Sequence, residues 1–468
     1  MSDEPQAAGG PGGPIDGMFM HAPSYPYDPN VGLYTMVMAP YLQALTFTGW
    51  QDETQSWKET CYIHAGLNLN PAFRINGPDA IRMLSELTFN SFANFPVGRI
   101  KHTGMCDDEG RVLCHGMVLR TGEQEIYVYT MGPWMQYASA LAEYDVEFEE
   151  HTEDDFNFQC AGPRILEALE AATGEDLHDI PFMGFRSSSI DGRDVRIMRF
   201  GMGGTLAYEV HGDMKDACRL YEKVLEAGEP FGMRRIGWQA YSLNHPENGY
   251  AQEAYTFLGS SAEDKPFLEF LRSIGLDTTE WPEGATLCGS SGADRSKRWR
   301  NPFELGWGHM VTFDHEFRGK AALEKVAASP HRQCVDLIWN VEDIMEVYAS
   351  MFQKDEPTYP YMEIPQEPIF LTTTGGVRFY QDDVFKDGKL VGFCTGRTYS
   401  LHSRDMFSTG FVDAEYAEVG TELQVLYGEE GTRQKLIRVT VAPYPHLSHS
   451  MTMNKDYDVE SIPRPTKA

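Results

Sequence analysis

The chain has 468 residues, of which 42% are hydrophobic, and its 39 Lys and Arg against 69 Asp and Glu give a net charge of -30. A chain of that length is too long to fold around a single hydrophobic core, so two or three domains are predicted. So acidic a surface disfavours nucleic acid and anionic membranes as partners, because each phosphate contact needs a cation. The eight cysteines form no C-x-x-C pair, so neither a zinc site nor a redox dithiol is predicted, and we expect no metal.

Residues 1–26 are rich in Gly, Pro and Ala, a composition that predicts a flexible tail. This segment lacks the basic start and apolar run of a signal peptide. No apolar stretch further along the chain reaches the length of a membrane span. We therefore expect a cytoplasmic protein.

The next segment, about residues 27–150, is predicted to form a first α+β lobe. Apolar residues recur at helical spacing in PDAIRMLSELTF, and two apolar-rich runs joined by the polar turn TGE predict a β-hairpin. The predicted elements are a strand and turn at 71–77, a helix at 78–89, hairpin strands at 110–120 and 124–131, and a helix from Met135 to Leu141.

The order of strand, helix, two strands and helix then occurs again, which predicts a second, similar lobe over about residues 151–330. Its last helix ends at Gly228, a residue typical of helix C-termini. No residue-by-residue repeat links the two lobes. The predicted elements are a strand at 156–162, a helix at 163–173, strands around 191–195 and at 198–210, and a helix at 215–228.

From about Cys334 the pattern changes to short strands punctuated by turns such as DGK, GTE and EEGT. Residues 331–450 are therefore predicted to form a small β-barrel or jelly-roll domain, followed by a polar tail at 451–468. The predicted elements are strands at 335–339, 390–399, 407–412, 422–427 and 436–442, with a short helix-like insert at 345–352.

Several motifs in this order carry a resemblance to a known family. Residues 301–323, NPFELGWGHMVTFDHEFRGKAAL, combine an NP-x-E-x-G-x-G turn with an F-x-G-K-x-A-L helix start. GMGGTLAYEV (201–210), RIGWQAYSLNHPENGY (235–250) and the strand–turn pattern of 393–426 follow the same family pattern. The chain thus resembles the glycine-cleavage T-protein superfamily, whose members move one-carbon units onto tetrahydrofolate. The resemblance implies an α+β, three-lobed architecture of two folate-binding lobes and a C-terminal β-barrel.

Within this superfamily the chain is most similar to tetrahydrofolate-dependent aryl ether O-demethylases of the vanillate and syringate type. The shared pieces are A-Y-x-x-N around Tyr241, D-I-x-x-V-Y-A-S-M-F at 343–352 and F-D-H-x-F-x-G at 313–319. The glycine-cleavage enzyme lacks the first two, and it has an Asp pair in the hairpin where this chain has Cys114 and His115. Glycine cleavage is therefore disfavoured.

The resemblance implies removal of a one-carbon unit from a small aromatic ether, giving a phenol and 5-methyltetrahydrofolate. The alternative is methylene transfer from a methylenedioxy lignan, as in sesamin-type relatives, giving a catechol and 5,10-methylenetetrahydrofolate. A folate-binding module without catalysis is a third interpretation, and donors of the amine or sulfonium type are a fourth. The oligomeric state is left open.

The resemblance also implies which residues hold the cofactor. The pterin ring offers adjacent N–H donors that one buried carboxylate can accept side by side, with bonds strengthened by its charge. Glu209 matches the pterin-binding glutamate of the family, and Tyr127 matches an aromatic residue that contacts folate. Glu247 and Glu304 match acidic positions of their motifs. The alternatives are a strand-ending surface glutamate, a core tyrosine and two structural acids.

Breaking an aryl ether requires a general acid within hydrogen-bond reach of the ether oxygen. The candidates are His115, Tyr241, Tyr34 and His64. Tyr241 matches a tyrosine that the demethylases use near the reacting centre, and the ordinary pKa of histidine suits proton transfer near neutrality. For each of them the alternative is a packed side chain with a satisfied polar group.

An apolar substrate pocket is predicted from Met117, Met131 and Trp134, although the same residues equally suit ordinary core. By register, Met131 replaces an arginine that the vanillate enzymes carry. Because that arginine would pair with a substrate carboxylate, its absence favours a neutral or bulkier aromatic substrate.

Overall fold

The computed structural model describes residues 20–36, 41–68, 70–276, 283–364, 378–449 and 452–465. Within these ranges no helix is long and apolar enough to cross a bilayer. The strands are β1 (Met20–His21), β2 (Leu33–Met36), β3 (Tyr41–Thr46), β4 (Cys61–His64), β5 (Ala72–Asn76), β6 (Ile100–Cys106), β7 (Val112–Arg120), β8 (Glu125–Tyr129), β9 (Glu147–Glu150), β10 (Asp155–Ala161), β11 (Phe185–Ile190), β12 (Arg193–Met198), β13 (Ala207–Asp213), β14 (Met233–Arg235), β15 (Thr286–Cys288), β16 (Gln333–Trp339), β17 (Arg378–Lys386), β18 (Lys389–Tyr399), β19 (Met406–Val412), β20 (Glu422–Tyr427) and β21 (Lys435–Ala442).

The α-helices are α1 (Trp50–Glu53), α2 (Ser56–Glu59), α3 (Ala80–Leu87), α4 (Gly132–Leu141), α5 (Ile165–Thr173), α6 (Ala217–Gly228), α7 (Trp238–Asn248), α8 (Lys265–Ser273), α9 (Lys320–Ala327) and α10 (Val341–Ser350). Short 3-10 turns occur among the connections. Helix α4 begins earlier than the sequence pattern predicts, because Pro133 occupies its first turn, where a missing N–H is tolerated.

The first lobe is an antiparallel sheet in the order β6-β7-β8-β5-β9. The hairpin predicted from the sequence is confirmed as β7 and β8. Helices α3 and α4 cover one face and share a core with α8, in which Phe73, Met83, Val128 and Met135 are buried. Strand β6 was not predicted, because Lys101, His102 and Thr103 dilute its apolar pattern.

The second lobe is a sheet in the order β11-β12-β13-β10-β4-β14. Strand β4 comes from the part of the chain that precedes the first lobe's sheet, and it lies between β10 and β14. Helices α5 and α6 pack on this sheet over Phe156, Phe158, Leu169 and Val224. The strand predicted at 198–210 is two strands, since a glycine-containing loop at 199–206 separates β12 from β13.

The C-terminal domain is a closed barrel of β16 to β21, completed by pairing of β17 with β20, and β15 adds to its outside. The predicted barrel is thus confirmed, and with it the α+β, three-lobed architecture. Helix α10 runs from Val341, several residues before the predicted insert, because the Asn340 side chain caps its first turn.

The described parts of both terminal segments pack against the second lobe. Ala22, Tyr25 and Val459 are buried in its core, and the Asn454 side-chain amide donates to the carbonyl of Ala207 at 3.0 Å. The terminal segments are rich in polar residues and proline, and a few apolar residues in each are enough to dock them on the second lobe. Composition alone does not predict these contacts.

Candidate active site

Strand register brings three polar side chains into one row across the second lobe. Gln159 on β10 is the direct partner of Glu209 on β13 and of His64 on β4. Because directly paired residues share a face of the sheet, Glu209, Gln159 and His64 lie side by side. All three are buried.

Helix α7 adds Tyr241 to this row. The Tyr241 ring stacks on the His64 ring, with centroids 4.1 Å apart and planes 6° from parallel. Gln159 Nε2 lies 3.5 Å from Glu209 Oε1 and 3.4 Å from the Tyr241 hydroxyl. Three predicted site residues, Glu209, His64 and Tyr241, therefore lie together around Gln159. These four residues are hereafter called the Glu209 group.

Two buried polar atoms in this group have no hydrogen-bond partner among the described residues, namely Gln159 Oε1 and His64 Nε2. Burial lowers the pKa of His64 to about 4, so its ring is neutral. Its Nδ1 lies 2.9 Å from the Ile236 carbonyl and therefore carries the proton, which leaves Nε2 as an acceptor. Unsatisfied buried acceptors are uncommon in proteins and leave room for a donor from a ligand or an ordered water. His64 Nε2 lies next to Gly66 and to the Gln43 side chain, whose Nε2 also has no partner among the described residues.

A buried histidine holds the Glu209 carboxylate from the other side. His211 Nε2 lies 2.9 Å from Glu209 Oε2, and its Nδ1 lies 2.8 Å from the Tyr129 hydroxyl and 3.4 Å from Asp155 Oδ2. Burial lowers the pKa of His211, but the hydrogen bonds and charges of Asp155 and Glu209 outweigh it and raise the pKa above its ordinary value. His211 thus orients Glu209, and its raised pKa favours the protonated ring that would compensate the charge of the carboxylate.

A cavity of about 700 Å³ lies beside this group, where the two lobes, α7 and the C-terminal segment meet. Its volume is in the range of small-molecule sites. Met202 lines the cavity and places its sulfur 4.0 Å from the Tyr241 hydroxyl, whereas the four residues of the Glu209 group do not themselves line it. Other lining residues include Ile100, Lys101, His102, Met117, Met183, Phe200, Gly204, Asn248, Tyr250, Trp307, His309, Met310 and Lys455.

On another wall of the cavity, His102 and His115 form a half-buried pair. His115 Nδ1 lies 3.0 Å from His102 Nε2, and His115 Nε2 accepts from the backbone N–H of Glu253 at 3.3 Å. Burial lowers the pKa of His102 to about 4 and that of His115 well below its ordinary value. Both nitrogens of His115 are therefore occupied by protein groups, and His102 is the ring that faces the cavity.

Glu247 and Glu304 lie in other surroundings. Glu247, on α7, accepts from the Trp57 indole at 3.1 Å and from the hydroxyl of Ser400, which follows β18 of the barrel. Burial raises the pKa of Glu247 to about 7. Glu304 accepts from the backbone and side chain of Asn301 at 3.1 Å, within its own turn. The structure does not bring either carboxylate to the Glu209 group.

Tyr34 also lies apart from the group. Its hydroxyl bonds the backbone of Asp28 at 3.1 Å, and its ring stacks on Tyr27. Tyr127 packs between the lobes, 5.3 Å from the Tyr129 ring and beneath the Arg196 guanidinium.

The three predicted pocket residues divide between pocket and core. Met117 lines the cavity. Met131 is fully buried in the core of the first lobe, and Trp134 stacks on Phe267 with ring centroids 3.6 Å apart in the same core. Met131 therefore belongs to the core and does not line the cavity.

Gln159, His211 and His102 were not among the sequence candidates. One signal was available, since strand alternation places His211 two residues after Glu209 and hence on the same face. Gln159 and His102 lie in runs without a motif, and only the strand register brings them to the site.

Comparison with known proteins agrees with this geometry. Residues 18–254 match the model of the GCVT N-terminal domain. The chain is 38% identical over 441 residues to a sesamin methylene transferase of Sinomonas sp., covering 93% of this chain and 97% of that one. It is 28% identical over 434 residues to a syringate O-demethylase of Sphingobium sp., covering 87% and 90%.

The fold is also that of a solved relative, the glycine cleavage system aminomethyltransferase T from Bartonella henselae. That structure matches with a TM-score of 0.64 at 15% identity, covering 90% of this chain and 95% of that one. The chain belongs to the GCVT family. It is an enzyme, a one-carbon transferase of the kind that the sequence motifs predict.

Proposed function

We propose that this transferase removes a one-carbon unit from an aromatic ether and passes it to tetrahydrofolate. The observation that carries the proposal is the Glu209 group beside a cavity of about 700 Å³. In this group a buried carboxylate lies next to Gln159, whose Oε1 has no hydrogen-bond partner among the described residues. Relatives named for work on sesamin and on syringate support an aromatic ether as the donor.

The residues of the Glu209 group fit the pterin end of the cofactor. Each carboxylate oxygen has two lone pairs, so Glu209 can accept from pterin N–H groups while it keeps its bond to His211. Gln159 Oε1 offers a further acceptor. When bound, tetrahydrofolate supplies a nucleophilic nitrogen that accepts the one-carbon unit.

The protein's part in the chemistry is to position the substrates, exclude water and supply a proton. Burial raises the pKa of Tyr241 well above its ordinary value, so the hydroxyl keeps its proton. Among the described residues the hydroxyl donates to the Met202 thioether, a weak acceptor, which leaves the proton available to the aryl oxygen as the carbon–oxygen bond breaks. The apolar lining, with Met117 and Phe200, suits an aromatic ring.

The leading reaction is O-demethylation, with a phenol and 5-methyltetrahydrofolate as products. Methylene transfer from a methylenedioxy ring is the second candidate, favoured by the 38% identity to a sesamin methylene transferase. Both reactions use the same cofactor and the same proton source, so the identity of the aromatic one-carbon donor determines which of them occurs.

The experiment incubates the purified protein with tetrahydrofolate and a panel of methoxy- and methylenedioxy-aromatics. Mass spectrometry then identifies the folate product. A gain of one methyl group on folate, together with a phenol, supports demethylation, and a gain of one methylene bridge, together with a catechol, supports the second candidate. Binding of tetrahydrofolate without turnover of any member of the panel would refute the proposal and favour a binding module.

A further inference from the structure

The proton positions in the pair His102 and His115 follow from one backbone contact. The N–H of Glu253 can only donate, so His115 Nε2, 3.3 Å away, is an acceptor. A neutral imidazole carries one N–H, which in His115 must then lie on Nδ1. That N–H donates to His102 Nε2 at 3.0 Å. His102 in turn carries its own proton on Nδ1.

Both rings are neutral, as this argument requires. Burial is the main cause of the lowered pKa of each ring, and the neighbouring histidine adds to it for His115. The Trp307 ring lies 4.9 Å from each of the two and is perpendicular to the His102 ring. The pair is therefore held in an apolar wall.

The remaining nitrogen of His102 is available to a ligand. His102 lines the cavity, and among the described residues its ring makes its hydrogen bond through Nε2 alone. Asn90 donates to the His102 backbone carbonyl at 2.9 Å, which fixes the strand that carries the ring. The cavity wall thus presents this N–H donor beside the side chains of Met117 and Trp307. Other lining residues that can donate hydrogen bonds include Lys101, Asn248 and Lys455.

We propose that His102 is a specificity-determining residue whose Nδ1–H donates to a second, non-reacting oxygen on the aromatic ring of the substrate. The proposal rests on the proposed function, since it names the feature by which an aromatic ether is chosen. Ether oxygens only accept hydrogen bonds, so a fixed donor matches them and a fixed acceptor would repel them. His115 acts through His102 as a positioning residue that sets the tautomer.

The substrate class that follows has two neighbouring ring oxygens, as in 1,2-dimethoxy or 1,2-methylenedioxy rings. A ring with a single methoxy group leaves the donor unpaired. A neutral hydrogen bond of this kind corresponds to about a tenfold preference in kcat/KM.

The activity test compares 1,2-dimethoxybenzene with methoxybenzene for the wild type, His102→Phe and His102→Asn. The wild type should prefer the two-oxygen substrate by about tenfold, and His102→Phe should lose the preference while its affinity for tetrahydrofolate is unchanged. His102→Asn, whose amide N–H lies near the place of Nδ1, should recover part of the preference. A His102→Phe protein that keeps the full preference would overturn the proposal.

A second measurement needs neither a variant nor turnover. In protein labelled with ¹⁵N-histidine, long-range ¹H–¹⁵N spectra read which ring nitrogen carries the proton. We expect His102 to be protonated at Nδ1, with a shift of that nitrogen when 1,2-dimethoxybenzene is added. Protonation at Nε2 would overturn the tautomer argument. If instead the tautomer is as expected and no aryl ether is turned over, the proposed function fails independently of the His102 geometry.

Discussion

Replacing Glu209 with glutamine keeps the volume of the side chain but removes its charge. In the wild type Glu209 Oε2 lies 2.9 Å from Nε2 of His211, a histidine whose pKa is raised by its carboxylate neighbours. An amide offers one acceptor oxygen in place of two, and that oxygen lacks the charge that strengthens bonds to pterin N–H groups. A hydrogen bond to a charged group contributes about 1.5–3 kcal/mol, so we expect tetrahydrofolate to bind about 10- to 150-fold more weakly.

The assay is isothermal titration of tetrahydrofolate into the wild type, Glu209→Gln and Glu170→Gln. Glu170 provides a matched control, since it is also a buried carboxylate paired with a histidine, His178, at 2.8 Å. It lies on α5 and does not line the cavity. We expect the control to bind tetrahydrofolate like the wild type. Undiminished affinity in Glu209→Gln, or an equal loss in both variants, would refute the reasoning.

Three further predictions concern stability and the cavity. Burial raises the pKa of Glu247 to about 7 from an ordinary 4.5, so its contribution to stability is full below about pH 4.5 and is lost as pH rises through 7. The wild type should therefore lose about 2.5 kcal/mol of its free energy of unfolding in urea between pH 5 and pH 8.5 that Glu247→Gln does not lose. Gly204 has a φ of +63°, and a Cβ there would overlap the side chain of Asn248. Gly204→Ala should therefore lower the stability measured in a thermal melt by about 2–4 kcal/mol. It should also weaken the binding of tetrahydrofolate measured by calorimetry. Trp134→Ala should lower stability by about 3–5 kcal/mol and leave the KM for the aromatic donor unchanged. Met117→Ala should raise that KM with little loss of stability. The opposite result for the two variants would mean that the substrate binds in the core of the first lobe.

The architecture was predictable from the sequence because its signals are local or carried by motifs. The hairpin of β7 and β8 shows alternation joined by a polar turn, and α6 shows helical spacing that ends in glycine. Strand β4 carries no such signal. Its four residues, Cys61–His64, are all buried, and only pairing with distant strands assigns them to the second lobe.

The site was predictable in part. The motif windows supplied Glu209 and Tyr241, but the row that joins them depends on the register of three strands, which no local pattern contains. The roles of His115 and His102 also could not be separated from the sequence. His102 lies on β6, a strand that the sequence pattern does not predict. The contact with the Glu253 backbone, which occupies His115, comes from 138 residues further along the chain.

The interleaving of β4 has a consequence for how the protein is made. Translation releases Cys61–His64 early, yet the strands that flank it, β10 and β14, emerge much later, the second only with Arg235. Until then the nascent chain carries an apolar segment with both edges open, the kind of segment that invites wrong pairing. Maturation of the second lobe therefore waits until about half of the polypeptide has left the ribosome. A gene split between the two lobes would leave β4 on the fragment that carries the first lobe.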